Sequence, residues 1–297
     1  MKTPVKTPIS QSIATEPPVW FITGCSTGFG MELARQAIDR GYRTVMTARD
    51  PSKLQGYAAT DNVLVLQLDV THPQEVTAAV QAAHARFGGI DVLVNNAGIG
   101  YFAAIEEGVE SEVRKMFEVN VFGLTRMTQA VLPDMRKRRS GCIVNVSSLA
   151  GIRGMPALGQ YCATKFAVEG LSEALRQEVE PLGVHVMVVE PSGFRTDWAG
   201  RSADESAHQI DDYMATAGTV RSAIRTSSGQ QPGDPVRAAK AIILAVGSGN
   251  PPHHLLLGNN AFDGAMAKLA ELGIAYKAGE AVARAADAPR AREDALA

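Results

Sequence analysis

Tyr161 and Lys165 lie four residues apart in a stretch with helical periodicity, 160–180. That spacing puts both side chains on one helix face. A free tyrosine titrates near pH 10, too high for a base at neutral pH, at about the ordinary phenol value. An ammonium beside it stabilises the phenolate and lowers that value by roughly 1–3 units. The pair would then act as an acid/base near working pH. Exposed helix pairs of this spacing are common, so the pair needs company. Ser148 supplies some, thirteen residues before Tyr161 and just after a Val-rich run. Its hydroxyl could donate to an oxygen on which negative charge develops. A serine there could equally cap a turn.

A second group of residues has phosphate chemistry. The run 19–22 leads into Thr23-Gly24-Cys25-Ser26-Thr27-Gly28-Phe29-Gly30, and a helical pattern follows. Glycines at this spacing allow a tight turn, close approach of a pyrophosphate and packing of helix on strand. The helix N-terminus then offers free N–H groups and the positive end of its dipole. Thr23, Gly24, Ser26, Thr27, Gly28, Phe29 and Gly30 are the expected dinucleotide cradle.

The second strand reads Val45-Met46-Thr47-Ala48-Arg49-Asp50. An acid at its end would hold the adenosine ribose, and a base would favour a 2′-phosphate. A strand ending at Thr47 puts Ala48 at the acid position with Arg49 next, which favours NADP(H). Placing Asp50 on the ribose gives NAD(H). Arg49 could also be a solvated charge at a helix start. Asp69, followed by Val70, closes the third strand and could accept from the adenine amino group or cap the helix that begins near Pro73.

These groups need a scaffold that gathers them. Strand candidates are 19–22, 44–47, 63–67, 92–95, 142–146, 184–189 and 255–257. Most are Val-, Ile- and Leu-rich with little alternation, as strands buried on both faces are. Helical patterns lie between them at 30–40, 73–87, 112–138, 160–180 and 235–246. The alternation predicts an α/β fold, a doubly wound parallel sheet with right-handed crossovers. Residues 1–18 read as a flexible leader and 19–275 as one Rossmann-type domain. Residues 195–234 are polar and break the rhythm, as an inserted substrate loop would. Residues 276–297 form an Ala- and charge-rich tail.

Composition excludes several classes. The 297 residues carry a formal charge of −2, with 29 Lys and Arg against 31 Asp and Glu. Nothing in that balance suggests nucleic-acid binding. Three cysteines make no disulfide framework and suit a reducing compartment. No run is apolar for the ~18 residues a membrane span needs, so a cytoplasmic location is the default. His253-His254 has no third ligand at a recognisable metal spacing, and no metal is expected.

Taken together, the motifs resemble the short-chain dehydrogenase/reductase family. They are Thr23-Gly24-x3-Gly28-x-Gly30, Asn95-Asn96-Ala97-Gly98, Asn120, Ser148, Tyr161-x3-Lys165 and Pro191-Ser192-Gly193-x2-Thr196. The glycine turn and 47–50 are similar to the steroid/retinol-dehydrogenase and carbonyl-reductase branches. The resemblance implies a single domain with a seven-stranded sheet, a nicotinamide cofactor and a carbonyl or alcohol substrate. It implies that Tyr161 is the general acid/base, that Lys165 tunes it and holds the nicotinamide ribose, and that Ser148 polarises the carbonyl. Asn120 would join a proton relay to Lys165. Asn96, Ala97 and Gly98 would line the cofactor, and Pro191, Gly193 and Thr196 would meet the carboxamide. It also implies a homodimer or homotetramer built on the helices 112–138 and 160–180.

Two positions depart from the family pattern. Ser192 intervenes before Gly193, and Thr27 stands where many NADP-preferring members carry a base. Met155, Leu158, Phe194, Trp198 and Met214 are the expected apolar wall of the substrate pocket. The alternative to an enzyme is a dinucleotide-sensing regulator of the same fold, which would have no need of the Asn-Ser-Tyr-Lys set.

Overall fold

Consecutive side chains of the first strand point to opposite faces, and both faces are covered. Trp20 and Ile22 enter one apolar layer while Val19 and Phe21 enter the other. A strand buried on both sides has no use for alternation, which explains its unbroken apolar sequence. The structure is a computed structural model that describes residues 16–287. Most of the leader, 1–15, and the end of the tail, 288–297, lie outside the described residues.

In chain order the elements are β1 (Val19–Ile22), α1 (Gly28–Asp39), β2 (Arg43–Ala48), β3 (Val63–Gln67), α2 (Pro73–Phe87) and β4 (Val92–Asn95). Then come β5 (Gly100–Phe102), α3 (Glu110–Phe117), α4 (Leu124–Arg138), β6 (Gly141–Val146), α5 (Gly159–Val179) and β7 (Val184–Pro191). The last are β8 (Ala203–Glu205), α6 (Thr219–Thr226), α7 (Pro235–Val246), β9 (His254–Leu257), α8 (Asn259–Ala278) and α9 (Glu280–Ala285). Seven strands pair in parallel in the order β3-β2-β1-β4-β6-β7-β9. The order reverses between β1 and β4, and open α/β sheets bind ligands beyond the strand ends at such a switch point. Leu33, Ala34 and Ala37 of α1 pack on one face with Ala239, Ile242 and Ile243 of α7. The opposite layer takes Val76, Ala79 and Ala83 of α2 and Met127, Val131 and Met135 of α4. Each large side chain fully buried in this way contributes roughly 1.5–3 kcal/mol.

The structure departs from the sequence expectations in three places. The single helix expected over 112–138 is two helices joined by a π turn, Glu118–Gly123. The turn faces inward because Asn120 bonds the backbone of Ile99 in both directions: Ile99 N donates to its Oδ1 at 2.9 Å, and its Nδ2 donates to Ile99 O at 2.9 Å. A Cβ on Gly123 would meet Val70 Cγ2 at 2.6 Å, so the turn also needs that glycine. Second, β5 and β8 pair in a small separate sheet. Three-residue strands leave no period to read. Third, α8 is a helix that the sequence pattern does not mark, because its Ala- and Gly-rich stretch lacks a strong apolar stripe. Among the described residues, no helix is long and apolar enough to cross a membrane.

Candidate active site

The glycine turn is held shut from below. Asn96 Nδ2 donates to Thr23 O at 2.8 Å and to Gly24 O at 3.0 Å. The amides of Asn96 and Ala97 donate to the buried Thr23 hydroxyl. Gly24 and Gly28 have φ of +70° and +62°, which side chains rarely adopt. A Cβ on Gly30 would lie 2.4 Å from Gly24 O and 2.5 Å from Asn96 Nδ2. The turn therefore presents bare backbone and the start of α1 to a cavity of about 550 Å³. That cradle fits a pyrophosphate. Ser26, Thr27, Gly28 and Phe29 line the cavity, while Thr23 and Gly30 support it from beneath.

Beyond the turn, β2 ends at Ala48 and Arg49 faces the cavity. Asp50 turns away, and its carboxylate accepts from Ser52 N at 3.0 Å to start the following helical turn. Asp69 and Val70 also line the cavity. Asp69 Oδ1 accepts from the Thr71 amide and hydroxyl, and Glu75 accepts from the Asp69 amide. Burial works to raise the Asp69 carboxyl. The Thr71 bonds, with His72 and Arg49 nearby, outweigh it and hold the carboxyl below its ordinary value.

At the other end of the same cavity stand Ser148, Tyr161 and Lys165. Ser148 follows β6, and its Oγ accepts from Ala150 N at 3.1 Å. The capping role and the exposure to the cavity coexist. Lys165 is buried, and its ammonium donates to Val146 O at 2.8 Å. Burial lowers its pKa to about 8, against the opposing pull of Glu169. The lowering expected for Tyr161 is not found: burial pushes the phenol well above its usual range, and the nearby Ser148 only partly offsets this. The physical reason is burial, which disfavours the phenolate; the Lys165 nitrogen lies 5.6 Å from the ring centroid. Asn120 stands behind them and donates to Thr164 Oγ1 at 3.1 Å. A Cβ on Gly98 would come within 3.3 Å of Asn120 Oδ1 and 3.9 Å of Lys165 Nζ.

The wall beside Tyr161 is apolar. The Trp198 ring lies 4.8 Å from that of Tyr161 and 5.6 Å from that of Phe102. Met155, Leu158 and Phe194 line the cavity too. Met214 does not. It sits half-exposed in the turn before α6, its sulfur against Gly218. The segment 195–234 forms one side of the cavity through Trp198, Arg201, Ile224 and Gln231. A buried ion pair ties it down: Arg221 Nη1 lies 3.2 Å from Glu107 Oε2. Lys115 and Asn260 also reach the cavity and were not foreseen, because no motif marks them. Pro191, Gly193 and Thr196 line it after β7, and the inserted Ser192 sends its hydroxyl to Leu257 O at 3.4 Å.

Known proteins resemble this chain in both sequence and fold. The family model described as short chain dehydrogenase matches residues 18–207. The chain belongs to the short-chain dehydrogenase/reductase family. It is 38% identical over 248 residues to Oxidoreductase BOA17 of Botryotinia fuckeliana, covering 82% of this chain and 90% of that one. It is 38% identical over 245 residues to 3-ketodihydrosphingosine reductase of Bacteroides thetaiotaomicron, covering 82% and 88%. A crystal structure of a short-chain dehydrogenase from Streptomyces avermitilis superposes with a TM-score of 0.85 at 39% identity, covering 94% and 100%. More distant members of the fold were solved with cofactors. One from Burkholderia phymatum holds NAD (25% identity, TM-score 0.71, 81% and 89% covered). An alcohol dehydrogenase from Thermococcus sibiricus holds 5-hydroxy-NADP (26%, 0.67, 82% and 96%). The chain is an NAD(P)-dependent oxidoreductase, and the sensor alternative falls away.

Proposed function

We propose that this short-chain dehydrogenase/reductase interconverts a bulky apolar ketone or aldehyde with its alcohol, using NADP(H). The observation that carries the reading is that Ser148, Tyr161 and Lys165 share one cavity with the glycine turn. The nicotinamide, when bound, supplies or accepts the hydride. In the reductive direction Tyr161 gives its phenolic proton to the carbonyl oxygen. Ser148 donates a hydrogen bond to the same oxygen as charge develops there. Lys165 stabilises the phenolate left behind, and the proton that restores Tyr161 enters from water along the side marked by Gly98 and Asn120. Burial holds Tyr161 in its protonated form, and the Lys165 ammonium is the cation near the ring that would favour the phenolate once the proton is given up.

Arg49 supports NADP(H) over NAD(H). It faces the cavity directly after β2, whereas the competing acid Asp50 is engaged with Ser52. The apolar cluster of Phe102, Met155, Leu158 and Trp198 supports a bulky apolar substrate. The printed name of one relative, a 3-ketodihydrosphingosine reductase, points to a keto lipid as the first compound to try. Exposed Phe122, Phe166 and Leu171 support self-association through the region of α4 and α5. The domain reading is retained: 19–275 as catalytic domain, with 195–234 as its substrate loop.

The test follows NADPH and NADH absorbance with long-chain ketones and aldehydes, with Tyr161→Phe as control. Oxidation of NADPH that the variant abolishes supports the reading. Turnover unchanged in Tyr161→Phe overturns it.

A further inference from the structure

Behind Lys165 lies a cluster that the proposed reaction does not use. Glu169 sits one helical turn further along α5, Glu190 is near the end of β7, and His254 begins β9. One carboxylate oxygen from each glutamate and one ring nitrogen of His254 lie within 4.8 Å of one another. Glu190 is 2% exposed, and its Oε1 faces His254 Nδ1 at 2.7 Å. Its Oε2 is buried without a hydrogen-bond partner among the described residues, and Glu169 Oε1 is buried with only the Ser147 hydroxyl, itself unpaired, beside it. A buried polar atom left without a partner is costly, and a carboxylate more so. Two glutamates with buried, unpartnered oxygens, whose carboxylates come within 4.8 Å of each other and of an imidazole, make a set of donors that a cation would satisfy. The His254 side chain is 57% exposed and gives an ion a way in from the surface.

We propose that Glu169, Glu190 and His254 form a divalent metal site, suited to Zn²⁺. Two carboxylates and one imidazole are a mixed oxygen and nitrogen set that zinc accepts, with water completing the coordination. The ligands come from α5, β7 and β9. A bound ion would tie the helix that carries Tyr161 and Lys165 to the strand that leads into Pro191. The site is structural: it touches neither substrate nor cofactor, and it stands whether or not the proposed substrate class is right. Sequence alone hid it because the histidine pair has no ligand nearby in the chain; Glu190 is 64 positions from His254.

The experiment uses the full-length, untagged chain, stripped of metal with chelator and dialysed. Co²⁺ is added as a spectroscopic probe, and Zn²⁺ is titrated by calorimetry. The expected result is one ion per chain, a visible cobalt absorption that Zn²⁺ displaces, and a melting temperature that rises with Zn²⁺. His254→Ala alters a half-exposed ring and should fold. It should weaken binding by more than ~100-fold, since even outer-sphere partners of a metal are worth about 10–100-fold. Glu169→Gln should also remove the cobalt band, while His253→Ala should keep it. Absence of binding at micromolar metal would mean that the carboxyl pair shares a proton, and would overturn the proposal. Binding that survives in both His254→Ala and Glu169→Gln would overturn it equally.

Discussion

Lys165 stands over the Tyr161 ring, its nitrogen 5.6 Å from the centroid and bonded to Val146 O rather than to the phenol. The two residues are neighbours on α5, yet burial acts on them in opposite directions. It disfavours the charged form of each, raising the tyrosine and lowering the lysine. Burial thus favours the neutral form of both side chains.

Removing the phenolic hydroxyl tests the acid role of Tyr161. Tyr161→Phe should lower kcat for carbonyl reduction by about 10²–10⁴-fold, the usual contribution of a positioned acid. NADPH affinity, measured by fluorescence, should change less than about threefold, because the ring still packs on Trp198. A large loss of cofactor binding with kcat preserved would contradict the assignment.

Acidity of Lys165 predicts the pH profile. Its folded value of about 8 lies below the ordinary 10.5, so the ammonium needed to stabilise the phenolate is present below pH 8 and lost above it. Reduction should be flat to about pH 8 and then decline. The stability sign is separate. Between about 8 and 10.5 the unfolded chain binds more protons than the native one, so this group's contribution to stability rises with pH there. A reduction rate that stays level to pH 10 would refute the first claim.

Arg49 decides cofactor choice in this reading. Arg49→Ala should raise the Kd for NADPH by about 10–100-fold, the worth of roughly 1.5–3 kcal/mol for a charge-assisted hydrogen bond. NADH binding should stay the same. Equal effects on both cofactors would place Arg49 away from the 2′-phosphate.

Gly30 is the tightest position of the cradle. In Gly30→Ala the new methyl would sit 2.4 Å from Gly24 O, against backbone that Asn96 already pins. Melting should fall by several degrees, about 1–3 kcal/mol for an overpacked site, and NADPH binding should weaken with it. Gly56→Ala, with nothing within 4 Å, should do neither.

Trp198 forms the wall that faces the Tyr161 ring. Trp198→Ala should raise KM for bulky apolar substrates more than for small ones. Identical effects across a size series would remove it from the pocket.

The chain by itself determined the sheet and the two ends of the cavity. Unbroken Val, Ile and Leu runs separated by helical periods specify a parallel sheet, because only strands covered on both faces can bury them. The glycine turn and the Tyr161–Lys165 spacing are local features, so a few neighbouring residues suffice to read them. Tertiary structure decided what depends on distant partners. The inward turn at Asn120 exists because its side chain bonds Ile99, 21 positions away. Strands β5 and β8 form only by pairing with each other. The direction of the Tyr161 shift depends on how deeply the ring is buried, which spacing does not record. Glu169, Glu190 and His254 meet only because α5, β7 and β9 converge, and burial then leaves two carboxylate oxygens without partners.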